Sequence, residues 1–96
     1  MRRSYLVCYD VSDQKRLREV RKVMKGYGEP WQFSVFFCVL KDIDRVRLQR
    51  DLEEQMNLKD DQALIVDLGA DETAGRQAAF VIGKRLPSSE SGMVVV

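Results

Sequence analysis

Apolar residues along this 96-residue chain fall into runs of two different periods, separated by Gly, Pro, Ser and Asp. Ser4 to Asp10 is rich in β-branched and aromatic residues and reads as a first strand. Ser12 or Asp13 can cap a helix running to about Tyr27, with Gly26 and Gly28 as the stop. Leu17, Val20, Val23, Met24 and Tyr27 share one face of it at helical spacing. Gln32 to Leu40, after the breaker Pro30, reads as one long second strand, since nine residues leave no room for two strands and a turn. Asp44 is the expected cap of a second helix reaching about Met56. Ile43 and Leu48 sit at the positions of a hydrophobic staple, and Leu48, Leu52 and Met56 recur every four residues. Gln62 to Leu68 is a third strand, Gly69 to Arg76 an irregular turn region, and Ala78 to Ile82 a short fourth strand. Pro87 to Gly92 reads as a flexible linker before an apolar tail, Met93 to Val96.

This pattern predicts an α+β fold, a ferredoxin-like split β-α-β sandwich with an antiparallel sheet and two helices on one face. Residues 1–86 form the domain, and 87–96 supply a linker and a C-terminal strand. In the second strand Phe33, Val35, Phe37 and Val39 fall on one side, and Phe36, Cys38 and Leu40 on the other. One helix layer covers one face only. A sheet apolar on both faces needs a second cover, and the economical one is a second copy packed about a two-fold axis. A homodimer is therefore expected, with the apolar tail adding a strand at an open sheet edge.

Composition narrows the chemistry. The chain has no histidine, which removes Ser-His-Asp and Cys-His nucleophile systems and histidine metal ligands. Cys8 and Cys38 stand too far apart in sequence for a zinc motif. Any metal would be held mainly by oxygen, which points to Mg2+ or Mn2+. The first apolar run is too short for a signal peptide or a membrane span, so a soluble, cytoplasmic chain without a membrane partner is expected. The net charge of +1 hides an asymmetry. Residues 1–28 hold eight Lys and Arg against three acids, a local charge of +5, leaving −4 for residues 29–96. The basic third suits a polyanion, although a solvated helix face reads the same way.

Asp10 closes the first strand, where a rigid scaffold presents a side chain to solvent. It is the natural carboxylate for a metal, or else a simple turn cap. One carboxylate makes a poor Mg2+ site, but a two-fold axis could bring Asp10 of both copies together. Tyr9 could bond or stack beside Asp10, or merely pack. Lys15 and Arg16 fall in the first helical turn, where the macrodipole disfavours cations. Arg16 also projects away from the basic stripe of Lys15, Arg18, Lys22 and Lys25. It is expected either to pair with a carboxylate such as Asp10 or Asp13, or to receive a phosphate. Phe37 could stack a base, though a core place fits better. Asp67, among Leu64, Ile65, Val66 and Leu68, is either an arginine's partner or a solvent-facing edge residue.

Tyr9-Asp10-Val11-Ser12-Asp13 with Lys15-Arg16, then Tyr27-Gly28, then Gln32-Phe33-Ser34-Val35-Phe36, resembles the small CRISPR-associated adaptation endonuclease family. Ile82-Gly83 and the valine tail extend the likeness from Tyr5 to near the end; Phe37 departs from it, since many members are polar or acidic there. The resemblance implies a homodimer with Mg2+ at Asp10 and catalytic roles for Asp10 and Tyr9. It implies cleavage of single-stranded RNA or double-stranded DNA, whose backbone the basic first helix would hold through Lys15, Arg16, Arg18 and Lys22. It also implies a place beside the CRISPR integrase in acquiring spacers for antiviral defence. Two other readings remain: a non-catalytic nucleic-acid scaffold of the integration complex, and a toxin-type ribonuclease of related fold.

Overall fold

The computed structural model describes residues 1–84. Its elements run β1 (Arg2–Asp10), α1 (Gln14–Lys25), β2 (Glu29–Gln32), β3 (Val35–Lys41), α2 (Asp42–Gln55), β4 (Gln62–Gly69) and α3 (Glu72–Ala78). The strands form one antiparallel sheet in the order β2-β3-β1-β4. β1 and β2 are joined through α1 with β3 between them, and β3 and β4 through α2 with β1 between them. This double split crossover is the ferredoxin-like arrangement.

Four expectations change. The segment from Gln32 to Leu40 is not one strand but the end of β2, a turn at Phe33 and Ser34, and most of β3. Room for two strands comes from starting β2 at Glu29, through Pro30. A proline is tolerated there because β2 is an edge strand, paired with β3 alone. The predicted fourth strand at Ala78–Ile82 does not form, since β2 has taken its place in the sheet. The turn region before it holds α3 instead. Asp71 caps that helix by accepting from the Ala74 N–H at 3.2 Å, and Arg76 Nε lies 3.0 Å from Glu72 one turn back. Finally, α2 begins at Asp42 rather than after Asp44. Asp42 and Asp44 both lie in its first turn, where the helix dipole favours acids, and Ile43 is 60% exposed, so no staple forms. The linker and tail expected at 87–96 lie outside the described residues.

Parity along β1 divides the molecule. Tyr5, Val7 and Tyr9 face α1 and α2 and pack in one core with Phe36, Cys38, Leu40, Val20, Met24, Leu48 and Leu52. Ser4, Leu6 and Cys8 face the other way. There Phe37 stacks on Trp31, with centroids 5.0 Å apart and planes 9° from parallel. α3 seals only part of this second face. Its Gly75 sits so close to Ser4 that a Cβ would lie 2.8 Å from the Ser4 Cβ, and Arg76 reaches over the Phe37 ring to pair with Glu29 at 2.8 Å. Leu64 and Val66 on the same face remain 52% and 43% exposed. Neither face is polar, as the second strand's pattern required, and one is half uncovered.

The entry into β2 is held by a close approach. A Cβ on Gly28 would lie 2.4 Å from the Phe37 carbonyl oxygen and 2.5 Å from Cys38 Sγ. Gly28→Ala must therefore displace backbone, and is expected to cost about 1–3 kcal/mol. Urea denaturation checks this through a lower midpoint with an unchanged slope; an unchanged midpoint would mean that the α1–β2 turn yields freely.

Candidate functional site

Asp10 ends β1 opposite Gln62, the first residue of β4. Its parity puts it on the face away from α1 and α2, beside Cys8 and Leu64 in a shallow depression of about 120 Å³. The residue is exposed, and its carboxylate has no ion pair among the described residues. Tyr9 adjoins it in sequence but takes the opposite parity. Its ring is 5% exposed and stacks against Phe36, and its hydroxyl donates to the Phe33 carbonyl at 3.0 Å. Burial raises the phenol's pKa, opposed by Arg21. Strand alternation thus turns the Tyr9 and Asp10 side chains to opposite faces, while Tyr9 also borders the depression beside Asp10.

The turn after Asp10 is fastened elsewhere. Asp13 is the residue that caps α1, accepting from the Arg16 N–H at 2.9 Å. Arg16 pairs with neither Asp10 nor Asp13 through its side chain. Its Nε lies 2.9 Å and its Nη2 3.2 Å from the two oxygens of Asp61, a forked contact. The Asp61 carboxylate also accepts from the Ser12 N–H at 3.0 Å, the Ser12 hydroxyl at 3.2 Å and the Asn57 N–H at 2.8 Å. Its side chain is fully covered. These donors, Arg16 foremost, hold its carboxyl well below the usual carboxylate range. One acid therefore joins the β1–α1 turn to the loop before β4. Asp61 escaped the sequence reading because its partners in the β1–α1 turn lie 45 and 49 residues away; the only signal was an acid just before a strand.

Lys15, Arg18, Lys22 and Lys25 are exposed on α1, with Lys22 within 3.8 Å of Glu19. Arg16 is separate from that stripe, as its projection predicted. Asp67 has an arginine partner, Arg3, at 2.9 Å, which lowers its pKa. Phe37 is 1% exposed and belongs to the interior. Among the described residues Phe80 is an exposed aromatic, at 87%, and so is Phe33, at 62%. Sequence alternation had placed it on a strand face with Phe37, whereas it occupies the β2–β3 turn beside Arg21 of α1. Among the described residues no three His, Cys, Asp or Glu side chains converge as a metal cluster, and no helix is long and apolar enough to cross a membrane.

The depressed pKa of Asp61 makes its stabilising contribution complete above the ordinary aspartate value near 3.9 and lost as pH falls below it. Asp61→Asn should lower the melting temperature at neutral pH and lose less further stability than the wild type between about pH 4 and pH 2. Melting curves across that range measure the difference; parallel curves for the two proteins would show that Asp61 does not carry the acid sensitivity.

Comparison with known proteins agrees with this architecture. Residues 3–74 match the family model described as CRISPR associated protein Cas2. A CRISPR-associated endoribonuclease Cas2 of Rhodospirillum rubrum is 37% identical over 93 residues, spanning 97% of this chain and 90% of the relative. Another, from Thermodesulfovibrio yellowstonii, is 36% identical over 87 residues, 91% of this chain and 92% of the relative. Among solved structures, Streptococcus pyogenes Cas2 superposes with a TM-score of 0.72 at 27% identity, covering 83% of this chain and 99% of that one. A hypothetical protein from Thermus thermophilus gives 0.74 at 29% identity, covering 86% and 93%. A strand-end aspartate, a basic first helix and a half-covered sheet thus sit on a sequence and a fold that agree with one family throughout: the chain belongs to the CRISPR-associated Cas2 family.

Proposed function

We propose that this chain is a metal-dependent endoribonuclease that acts as a homodimer, alongside the CRISPR integrase, in the acquisition of new spacers. The observation that carries the reading is the place of Asp10, an exposed carboxylate at the end of the central strand and on the half-covered face. The curated relatives are named endoribonucleases, which supports RNA as the substrate. Double-stranded DNA is the competing substrate.

The residues fit a hard cation in one respect and need help in another. Asp10 offers an unpaired oxygen donor, which suits Mg2+ or Mn2+. Among the described residues a protomer supplies one such carboxylate there, so the site gains its second from the copy that covers Leu64 and Val66. A bound Mg2+ would supply an activated water and neutralise charge on the phosphate, chemistry that needs no histidine. The protein's own residues do the rest. Lys15, Arg18 and Lys22 hold the nucleic-acid backbone electrostatically. Arg16 spends its Nε and Nη2 on Asp61 and keeps the Asp10 turn in place, leaving Nη1 for a phosphate. Tyr9 braces the β2–β3 turn from the core rather than touching the scissile bond.

Light scattering on the purified chain should give a dimer at micromolar concentration; a stable monomer would remove the shared site. With the dimer established for both proteins, Asp10→Asn should lower Mg2+-dependent RNA cleavage about a hundredfold or more. Asn preserves shape, and Asp10 is exposed and is not the cap of α1, so the melting temperature should hold. Wild-type cleavage by the variant at matched Mg2+, or chelator-resistant cleavage by the native protein, would leave the non-catalytic scaffold as the function.

A further inference from the structure

Phe33 stands in the β2–β3 turn with most of its ring in solvent, a position that usually takes a small polar residue. It is nevertheless held firmly. Its carbonyl accepts from the Tyr9 hydroxyl at 3.0 Å and from Arg21 Nη1. The next carbonyl, that of Ser34, accepts from the Tyr9 N–H at 3.1 Å. The Arg21 guanidinium carbon lies 4.4 Å from the Phe33 ring centroid and 5.5 Å from that of the fully buried Phe36. A cation bridging an exposed ring to a core ring fixes the outer ring in place.

The surroundings are cationic. Arg18 and Lys25 lie about one turn to either side of Arg21 on α1, and Lys22 is next to it; all three are exposed. The other exposed apolar rings and chains differ in position. Phe80 and Ile82 line a groove with Leu6, Cys8, Trp31 and Val35 on the opposite face, where a second copy is expected. Phe33 instead shares the α1 side. Through Tyr9 it is tied to the residue before Asp10, so it belongs to the same end of the sheet.

We infer that Phe33 is a stacking platform for one unpaired base of a single-stranded nucleic acid whose phosphates lie along Arg18, Lys22 and Lys25. This rests on the nucleic-acid reading proposed above and adds a preference to it. Every base has a π-face, so the platform accepts any sequence, whereas bases paired within a duplex already have both faces occupied. The cationic row serves either form of nucleic acid; the ring serves only the single strand.

Fluorescence anisotropy with the full chain in EDTA tests this, using a ten-nucleotide RNA, an all-abasic strand of the same length and a blunt duplex. Phe33→Leu should bind the RNA about tenfold more weakly, bind the abasic strand and the duplex within twofold of wild type, and keep the salt slope. Phe33→Trp should bind the RNA at least as well as wild type. Charge reversal at Arg18 and Lys22 should weaken all three ligands and flatten the salt slope. In an RNA bearing 2-aminopurine, wild type should quench the probe and Phe33→Leu should not. Equal affinity of Phe33→Leu and wild type for the RNA overturns the platform, as does an equal loss on RNA and duplex. If the leucine variant fails to fold, the wild-type comparison decides: equal affinity for the RNA and the abasic strand overturns it. Salt-dependent binding indifferent to Phe33 leaves the nucleic-acid reading standing without the platform, while no binding of any ligand at low salt removes both.

Discussion

Every sheet contact near the candidate site depends on β1 being paired along both edges. Antiparallel ladders to β3 and β4 lock its register from Arg2 to Asp10, so the parity of each side chain is fixed. Odd positions build the core beneath two helices and even positions build the second face. A one-residue slip would carry Tyr9 into solvent and Asp10 into a layer filled by Val20 and Met24. The separation of a structural tyrosine from a functional carboxylate is thus a product of backbone pairing, before any side chain interacts.

Electrostatics reinforce that geometry at the start of α1. Two cations in a first helical turn work against the helix dipole, and no acid lies within that turn to offset them. The compensation is external. Asp13 caps the backbone, and Asp61 arrives from a distant loop to take the Arg16 fork. Since Asp61 also takes Ser12, the acid that neutralises Arg16 is the one that anchors the turn two residues after Asp10. Among the described residues Lys15, Arg18 and Lys25 have no ion pair, Lys22 lies within 3.8 Å of Glu19, and Lys22 and Lys25 reach the favourable end of the dipole.

Much of this was legible from residue order. The strand ending at Asp10, the apolar stripe of α1 and the two-sided hydrophobicity of the segment around Phe36 all follow from local period, and the structure keeps them. Arg16 was legible as out of place, and Asp67 as an acid in need of a partner, but the identities of Asp61 and Arg3 were not. Those pairs join residues tens of positions apart and leave no periodic trace. The β2–β3 turn was hidden because Phe33 and Ser34 resemble strand residues and Pro30 resembles a terminator. α3 was hidden by its shortness, since seven residues with one glycine give little helical period. Phe33 was misread for the same reason as the turn: alternation assigns a face only while the strand continues.

The same topology has a kinetic side. The α1 turn and the β2–β3 hairpin close over short stretches of chain, whereas the Ser12–Asp61 contact joins residues 49 apart. Closing that longer loop costs entropy before its contacts return any, so the β1–β4 ladder is expected among the slower contacts to form. The end of the sheet bearing Asp10 thus rests on the longest loop closure of the three, and the fixed position of its carboxylate depends on that closure.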